Sequence, residues 1–287
     1  PSLLSRSLTP PPSLSPSRLP LSLSPMLARW AVLCLAGASA LKIVSRPIVP
    51  RAPTLAMAAA QGTEVVSFVQ TEMRGAAMKL HSRDQSREGE QKAQTPVTQW
   101  EPQRKDYLQF LVDSRHVYRT FEDIVSSVEI FAPFRNSGLE RAEALDKDIA
   151  WFSEQGETIP EVGSPGAAYA DKVRSMADAG EWEAFVCHFY NYYFAHTAGG
   201  TMIGKMMSDK LLNGHVLHFY EWPAGDVKQE LLPALRGKID EMAAGWTREQ
   251  KDACLNETAE SFRGGGSLLT HIRGPGGGAR PGGRPMQ

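Results

Sequence analysis

The chain has 287 residues, 42% hydrophobic and 22% charged, with a formal net charge of −1, which is enough material for a core of average size in one or two domains. The charge is uneven: residues 1–63 carry Arg6, Arg18, Arg29, Lys42, Arg46 and Arg51 and no acidic side chain, so the rest hold 25 of the 31 basic groups against all 32 acidic ones. A mildly acidic body argues against nucleic acid as a partner, and Cys34, Cys187 and Cys254 match neither zinc nor disulfide spacing, which leaves reduced, structural thiols.

Residues 1–25 are almost all Pro, Ser and Leu, and Met26 is a candidate start, which would leave them untranslated. Residues 26–40 follow the order of a signal peptide: Arg29, an apolar run from Ala31 to Gly37, then Ala38-Ser39-Ala40 as a small-residue cleavage pattern. The run is too short to span a bilayer, so no stable membrane span is expected in the mature chain. Residues 41–63, basic, alanine-rich and free of acids, have the composition of a transit peptide. A simple secretory signal is the competing reading, and the scarcity of cysteine weighs against it.

From Glu64 the pattern is helical, with Val66, Val69, Met73, Ala76 and Leu80 at steps of three and four. Met73, Ala77 and His81 lie one turn apart on an adjoining line, which puts His81 at the edge of the buried face with only a small residue beside it. Arg74, seven residues earlier, sits on nearly the same side, roughly 10 Å along the axis at the helical rise. One ligand with a metal and an acidic group would meet both. Taken alone, His81 reads more simply as a surface histidine in a charged helix end.

A loop over 89–102 precedes a strong helix at 105–128 with Tyr107, Phe110, Leu111, Val117, Tyr118, Phe121, Ile124 and Val125 inward. Asn136-Ser137-Gly138 opens a helix ending at Gln155, and Ser164-Pro165 caps another that ends near Gly180. Residues 184–209 form a central aromatic helix with Gly199, Gly200 and Gly204 inside it. Each glycine costs about 1 kcal/mol relative to alanine there, so the backbone must approach something closely: a second helix, or a flat ligand. After an aromatic connector at 215–223, helices at 227–244 and 247–262 follow, the latter with Thr247 and Gln250 in capping-box register. No set of alternating strands appears. The expected organisation is a targeting leader over 1–63, one all-α domain over 64–263, and a disordered Gly/Pro/Arg-rich tail over 264–287.

Met78-Lys79-Leu80-His81-Ser82-Arg83-Asp84-Gln85, Phe110-Leu111-Val112-Asp113-Ser114, Gly138-Leu139-Glu140-Arg141-Ala142-Glu143, Trp151-Phe152-Ser153-Glu154-Gln155-Gly156 and the run from His188 to Gly200 closely resemble the plant and algal plastid heme oxygenases. Trp246-Thr247-Arg248-Glu249 and Leu255-Asn256-Glu257-Thr258 do so too, and the motifs keep one order from about residue 64 to 263. The resemblance implies a single-domain, multi-helical fold holding heme b between a proximal and a kinked distal helix. It implies heme as both cofactor and substrate, opened at the α-meso carbon with O2 and ferredoxin electrons to biliverdin IXα, CO and ferrous iron. The non-catalytic alternative is a heme- or tetrapyrrole-binding protein of the same fold; the presence of His81 discriminates against it.

Carried over by position, the resemblance makes His81 the iron ligand and Gly199-Gly200 the distal kink. His196, possessing a counterpart in the plant pattern, supports a distal water network with Tyr118. Arg74, Tyr190 and, more weakly, Arg236 approach the heme propionates, a task suited to arginine's fork of donors. Met78 and Gln85 flank the heme edge, and Gln85 can orient the ligand. Arg83, Arg87, Lys92, Arg104 and Lys105 are candidates for a basic patch facing ferredoxin. A monomer is expected, with a downstream bilin reductase as a further partner, in a plastid reached through the two-part leader.

Overall fold

In the computed structural model the described residues are 66–86 and 97–273. Residues 1–65, 87–96 and 274–287, which hold the leader, Arg87 and the first part of the expected 89–102 loop with Lys92, lie outside the described residues, as do the side chains of 81–86 and 97; the end of that loop includes a short 3₁₀ turn, Val97–Gln99. Among the described residues there are nine α-helices and no strand: the fold is all-α.

A π-helical turn, Val69–Met73, leads into α1, Arg74–Ser86. Its buried stripe begins at Phe68 and Val69, while Val66 is 73% exposed. Asp240, far along the chain, caps this start by accepting from Ser67 Oγ at 2.6 Å and from the Val69 amide at 3.0 Å. The strongest periodic segment becomes α2, Arg104–Ser127, with the expected residues buried from Tyr107 to Val125 and Ile124 half-buried.

α3 spans Ala142–Glu154 and begins later than Asn136-Ser137-Gly138. Those residues instead turn the chain, with Asn136 and Gly138 at φ of 53° and 78°, after a 3₁₀ segment Glu129–Phe134. The cap comes from α2: Glu122 accepts the amides of Arg141 and Ala142 at 2.7 and 2.9 Å. α4, Ser164–Asp178, has Gly163 rather than Ser164 at its cap position. The buried Asp113 carboxylate accepts from the amides of Gly163 and Gly166 at 2.7 and 3.0 Å.

The central segment is two helices, α5 Trp182–Ala195 and α6 Thr201–Leu211, joined by a π-helical turn His196–Gly200. Its aromatic rings close on α2 around Phe121, which lies 5.6 to 6.3 Å, ring centre to ring centre, from Phe185, Phe189, Tyr192 and Tyr193. Such rings bury large areas and prefer tilted contacts. α7, Leu232–Ala244, follows a π-turn Val227–Leu231 capped by Asp226. Thr247 and Gln250 form the predicted reciprocal cap at the start of α8, Arg248–Asn256.

The expected helix at 247–262 is two helices, broken at Glu257, and the second passes through the glycines: α9 spans Thr258–Leu268. The helical body thus runs past residue 263, which corrects the start of the expected tail; residues 274–287 of that tail lie outside the described residues. Leu268 and Ile272 are 1% and 0% exposed, and His271 Nε2 pairs with Asp113 at 2.9 Å. Gly264 packs against the ring of Tyr169, and a side chain on Gly265 would stand 3.1 Å from Tyr192. Glycine here allows close packing, so the burial of the residues beyond outweighs its helix penalty. Cys187 and Cys254 are buried and free.

Candidate functional site

A cavity of about 760 Å³ opens between α1 with its π-turn, α2, the α5–α6 junction, α7 and α9, within the size range of small-molecule and cofactor pockets. Most of its wall is apolar, including Met73, Ala77, Phe110, Phe194, Ile203 and Leu269. Polar groups gather at particular edges.

On one wall runs the π-turn, a widening that often marks functional sites. The three glycines of this region have three different causes. No heavy atom lies within 4 Å of where a Gly199 Cβ would stand, and Gly199 lines the cavity. At Gly200 a Cβ would stand 2.8 Å from His196 Nδ1, and at Gly204 2.5 Å from the Tyr220 ring. Gly200 and Gly204 are therefore required by neighbouring rings. Gly199 is required by no neighbouring side chain, and it borders the cavity.

His196 is pinned behind the same turn. Its Nε2 lies 2.8 Å from the Phe219 carbonyl oxygen, and its ring stacks on Phe219 at 3.9 Å and 16°. A carbonyl only accepts, so Nε2 carries the proton and Nδ1 is a bare acceptor. Burial disfavours the charged form and pushes the imidazole down to about 3, so it is neutral at physiological pH. Tyr118, fully buried, lines the cavity edge-on to His196 at 6.0 Å, and burial raises its phenol well above the ordinary value. The structure brings these two expected partners together.

At another edge the Arg236 Nε donates to Tyr190 Oη at 3.0 Å, and its guanidinium lies 5.5 Å from the centre of the Phe194 ring. Burial raises the Tyr190 phenol, opposed by that arginine. Arg74, exposed, and Met78, 56% exposed, line the same cavity from α1. Two of the expected propionate contacts, Tyr190 and the weaker candidate Arg236, are thus partnered with each other. The backbone of α1 carries His81 one turn beyond Ala77 and Gln85 one turn further; both side chains lie outside the described residues.

Of the basic candidates, Arg104 is committed elsewhere. It pairs with Glu157 at 2.7 Å, donates to the Leu211 carbonyl at 3.2 Å, and lies over the Trp151 and Phe152 rings. That removes it from an open patch.

Sequence reasoning missed the third wall, where Ser261, Gly265, Gly266 and Leu269 of α9 and its end line the cavity. Leu268, Leu269 and Ile272 at helical steps beyond the glycines were the available signal. It also missed Phe219, which fixes His196 through a main-chain oxygen that no motif records.

The family model described as heme oxygenase matches residues 69–269. The chain is 52% identical over 217 residues to heme oxygenase 1, chloroplastic, of Oryza sativa subsp. japonica, spanning 75% of this chain and 74% of that one. To heme oxygenase 3, chloroplastic, of Arabidopsis thaliana it is 48% identical over 215 residues, spanning 73% and 74%. Its fold is similar to the crystal structure of heme oxygenase-1 from the cyanobacterium Synechocystis in complex with heme. The TM-score is 0.54 at 19% identity, over 73% of this chain and 93% of that one.

Proposed function

The chain belongs to the heme oxygenase family, and we propose that it cleaves heme b to biliverdin IXα, CO and ferrous iron with O2 and ferredoxin electrons, in a plastid. The observation that carries this reading is the cavity wall at Gly199, a helix-interior glycine with open space over it, facing a pocket edged by Arg74, Arg236 and Tyr190. A flat apolar body with acidic arms fits those walls. The chloroplastic names of the rice and Arabidopsis relatives support the location.

When bound, heme supplies the iron at which dioxygen is activated and the ring that is opened. The protein's residues supply position and protons. His81 offers a neutral imidazole as the iron ligand, with Gln85 one turn on to orient it. Arg236, Arg74 and Tyr190 would hold the carboxylates by charge-assisted hydrogen bonds, and Met78 and Gly199-Gly200 would line the pocket around the ring. His196, with Nδ1 as a free acceptor, would hold a water in the cavity, with Tyr118 beside it. The apolar wall limits bulk water, so these few polar groups act in a low-dielectric setting.

The test is to mix the protein with hemin and follow absorbance with ferredoxin, its reductase, NADPH and ascorbate. A histidine-type Soret band that decays as a biliverdin band grows is the expected result. A stable heme spectrum under full reduction would instead identify a heme-binding protein without turnover. No Soret shift would remove the cavity from the account. His81→Ala abolishes turnover if His81 is the ligand, and normal biliverdin output from it would overturn that assignment.

A further inference from the structure

The His196 imidazole depends on one main-chain carbonyl, which is placed by the turn's own Tyr220 amide, donating to the Leu217 carbonyl at 3.1 Å, and by a side chain outside the cavity that grips the preceding amides. Phe219 belongs to the short 3₁₀ turn His218–Tyr220, whose peptides have no long helix to hold them. Asp148 of α3 is 1% exposed, and its two oxygens accept the consecutive amides of His218 and Phe219, each at 2.8 Å. On the far side of the turn the Arg141 guanidinium donates to the Glu221 carbonyl, and also to that of Leu139 at 3.2 Å. Tyr220 is held by its hydroxyl, 3.1 Å from that of Tyr107, and by Gly204 against its ring.

We infer that Asp148 is a positioning residue: by gripping the His218 and Phe219 amides it aims the Phe219 carbonyl at His196, fixing the Nε2–H tautomer and leaving Nδ1 bare beside Gly200. The physical reason is that a neutral imidazole has one donor and one acceptor, so the partner of one nitrogen decides what the other offers. With the carbonyl in place the cavity meets an acceptor. If the turn rotates, the Nδ1–H tautomer becomes accessible and the cavity meets a donor, which reverses how a water there would be oriented. A carboxylate suits the grip because both its oxygens accept. Asparagine has one acceptor, and its amide would face the second backbone N–H donor to donor.

The role of this tautomer in turnover rests on the proposed heme oxygenase function; the positioning itself does not. The test therefore starts with the 15N-histidine-labelled, heme-free full chain, and long-range 15N–1H correlation read at His196, assigned through His196→Gln. The wild type is expected to show protonated Nε2 and bare Nδ1. An Nδ1–H or doubly protonated ring at neutral pH would overturn the inference, and this measurement stands even where a variant does not fold. In Asp148→Asn, with helix content by circular dichroism unchanged, the tautomer ratio is expected to fall about tenfold, the scale of one weakened buried hydrogen bond. An unchanged ratio would overturn the inference whatever the activity does. Turnover of the hemin-loaded variant then separates the two readings. A fall in kcat with hemin affinity kept supports the tautomer's part in the reaction. A shifted tautomer with unchanged kcat upholds the positioning and overturns only that part.

Discussion

Adding one methyl at Gly199 should make the empty protein more stable and the loaded one worse. Nothing stands within 4 Å of the new Cβ, so Gly199→Ala pays no steric cost without ligand. It gains the helix preference of alanine, about 0.5 to 1 kcal/mol. In a domain of this size that raises the midpoint of thermal unfolding by about 2 °C. The neighbouring glycines give the opposite sign. Gly200→Ala drives a methyl to 2.8 Å from His196 Nδ1 in a ring already stacked and hydrogen-bonded, and Gly204→Ala reaches 2.5 Å from the Tyr220 ring. Each should cost about 1 to 3 kcal/mol, as overpacking does. The assay is a thermal melt of the three heme-free variants beside hemin titration and biliverdin formation. Gly199→Ala should lower hemin affinity or turnover while its heme-free melt rises. A destabilised heme-free Gly199→Ala, or full activity in it, would refute the argument that this glycine is kept for the ligand.

Arg236→Ala should weaken hemin binding about tenfold by removing a charge-assisted contact, with little effect on an iron porphyrin that lacks carboxylates; equal losses for both would point to packing against Phe194 instead. Acid stability should carry the mark of His196. The group is ordinarily near 6.5 and lies at about 3 in the folded chain, so the unfolded chain binds a proton between those values that the folded chain refuses. Stability therefore falls as pH drops through this window, by about 1.4 kcal/mol per unit for one site, and urea unfolding of His196→Gln should show a shallower decline between pH 6 and 4. Equal slopes would reject the buried neutral histidine. Ending the chain after Ser267 removes buried Leu268 and Ile272 and the His271 partner of Asp113; unfolding in denaturant should show a loss of about 3 to 5 kcal/mol, and an unchanged midpoint would mean that this end contributes nothing to the core.

Local rules settled a good deal of this protein. The stripe from Tyr107 to Val125 becomes the buried face of α2, and Thr247 with Gln250 caps α8 as their spacing predicts, because both depend on neighbours three or four positions away. The motifs that resemble heme oxygenases likewise sit in sequence order, and the family match follows them. The all-α class needed only the absence of alternation and the run of helical periods.

What depends on distant partners was hidden from that reading. The caps of α3 and α4 come from Glu122 and Asp113 on α2, so the local signal at Asn136 misplaced the start of α3, while Ser164-Pro165 located α4 to within one residue of its cap. The glycines at 264–266 read as a tail until Tyr169 and Tyr192 are seen against them. The clustered glycines near the centre read as one feature, and only the fold assigns Gly200 to His196, Gly204 to Tyr220 and Gly199 to the cavity. By itself the sequence determined the helical class, the centres of the main helices and the family they belong to, since those are properties of near neighbours and of residue types. The tertiary structure alone decided which nitrogen of His196 carries the proton and that Asp148 stands behind it, because hydrogen bonds and van der Waals contacts act at a few ångströms in space, whatever the separation along the chain.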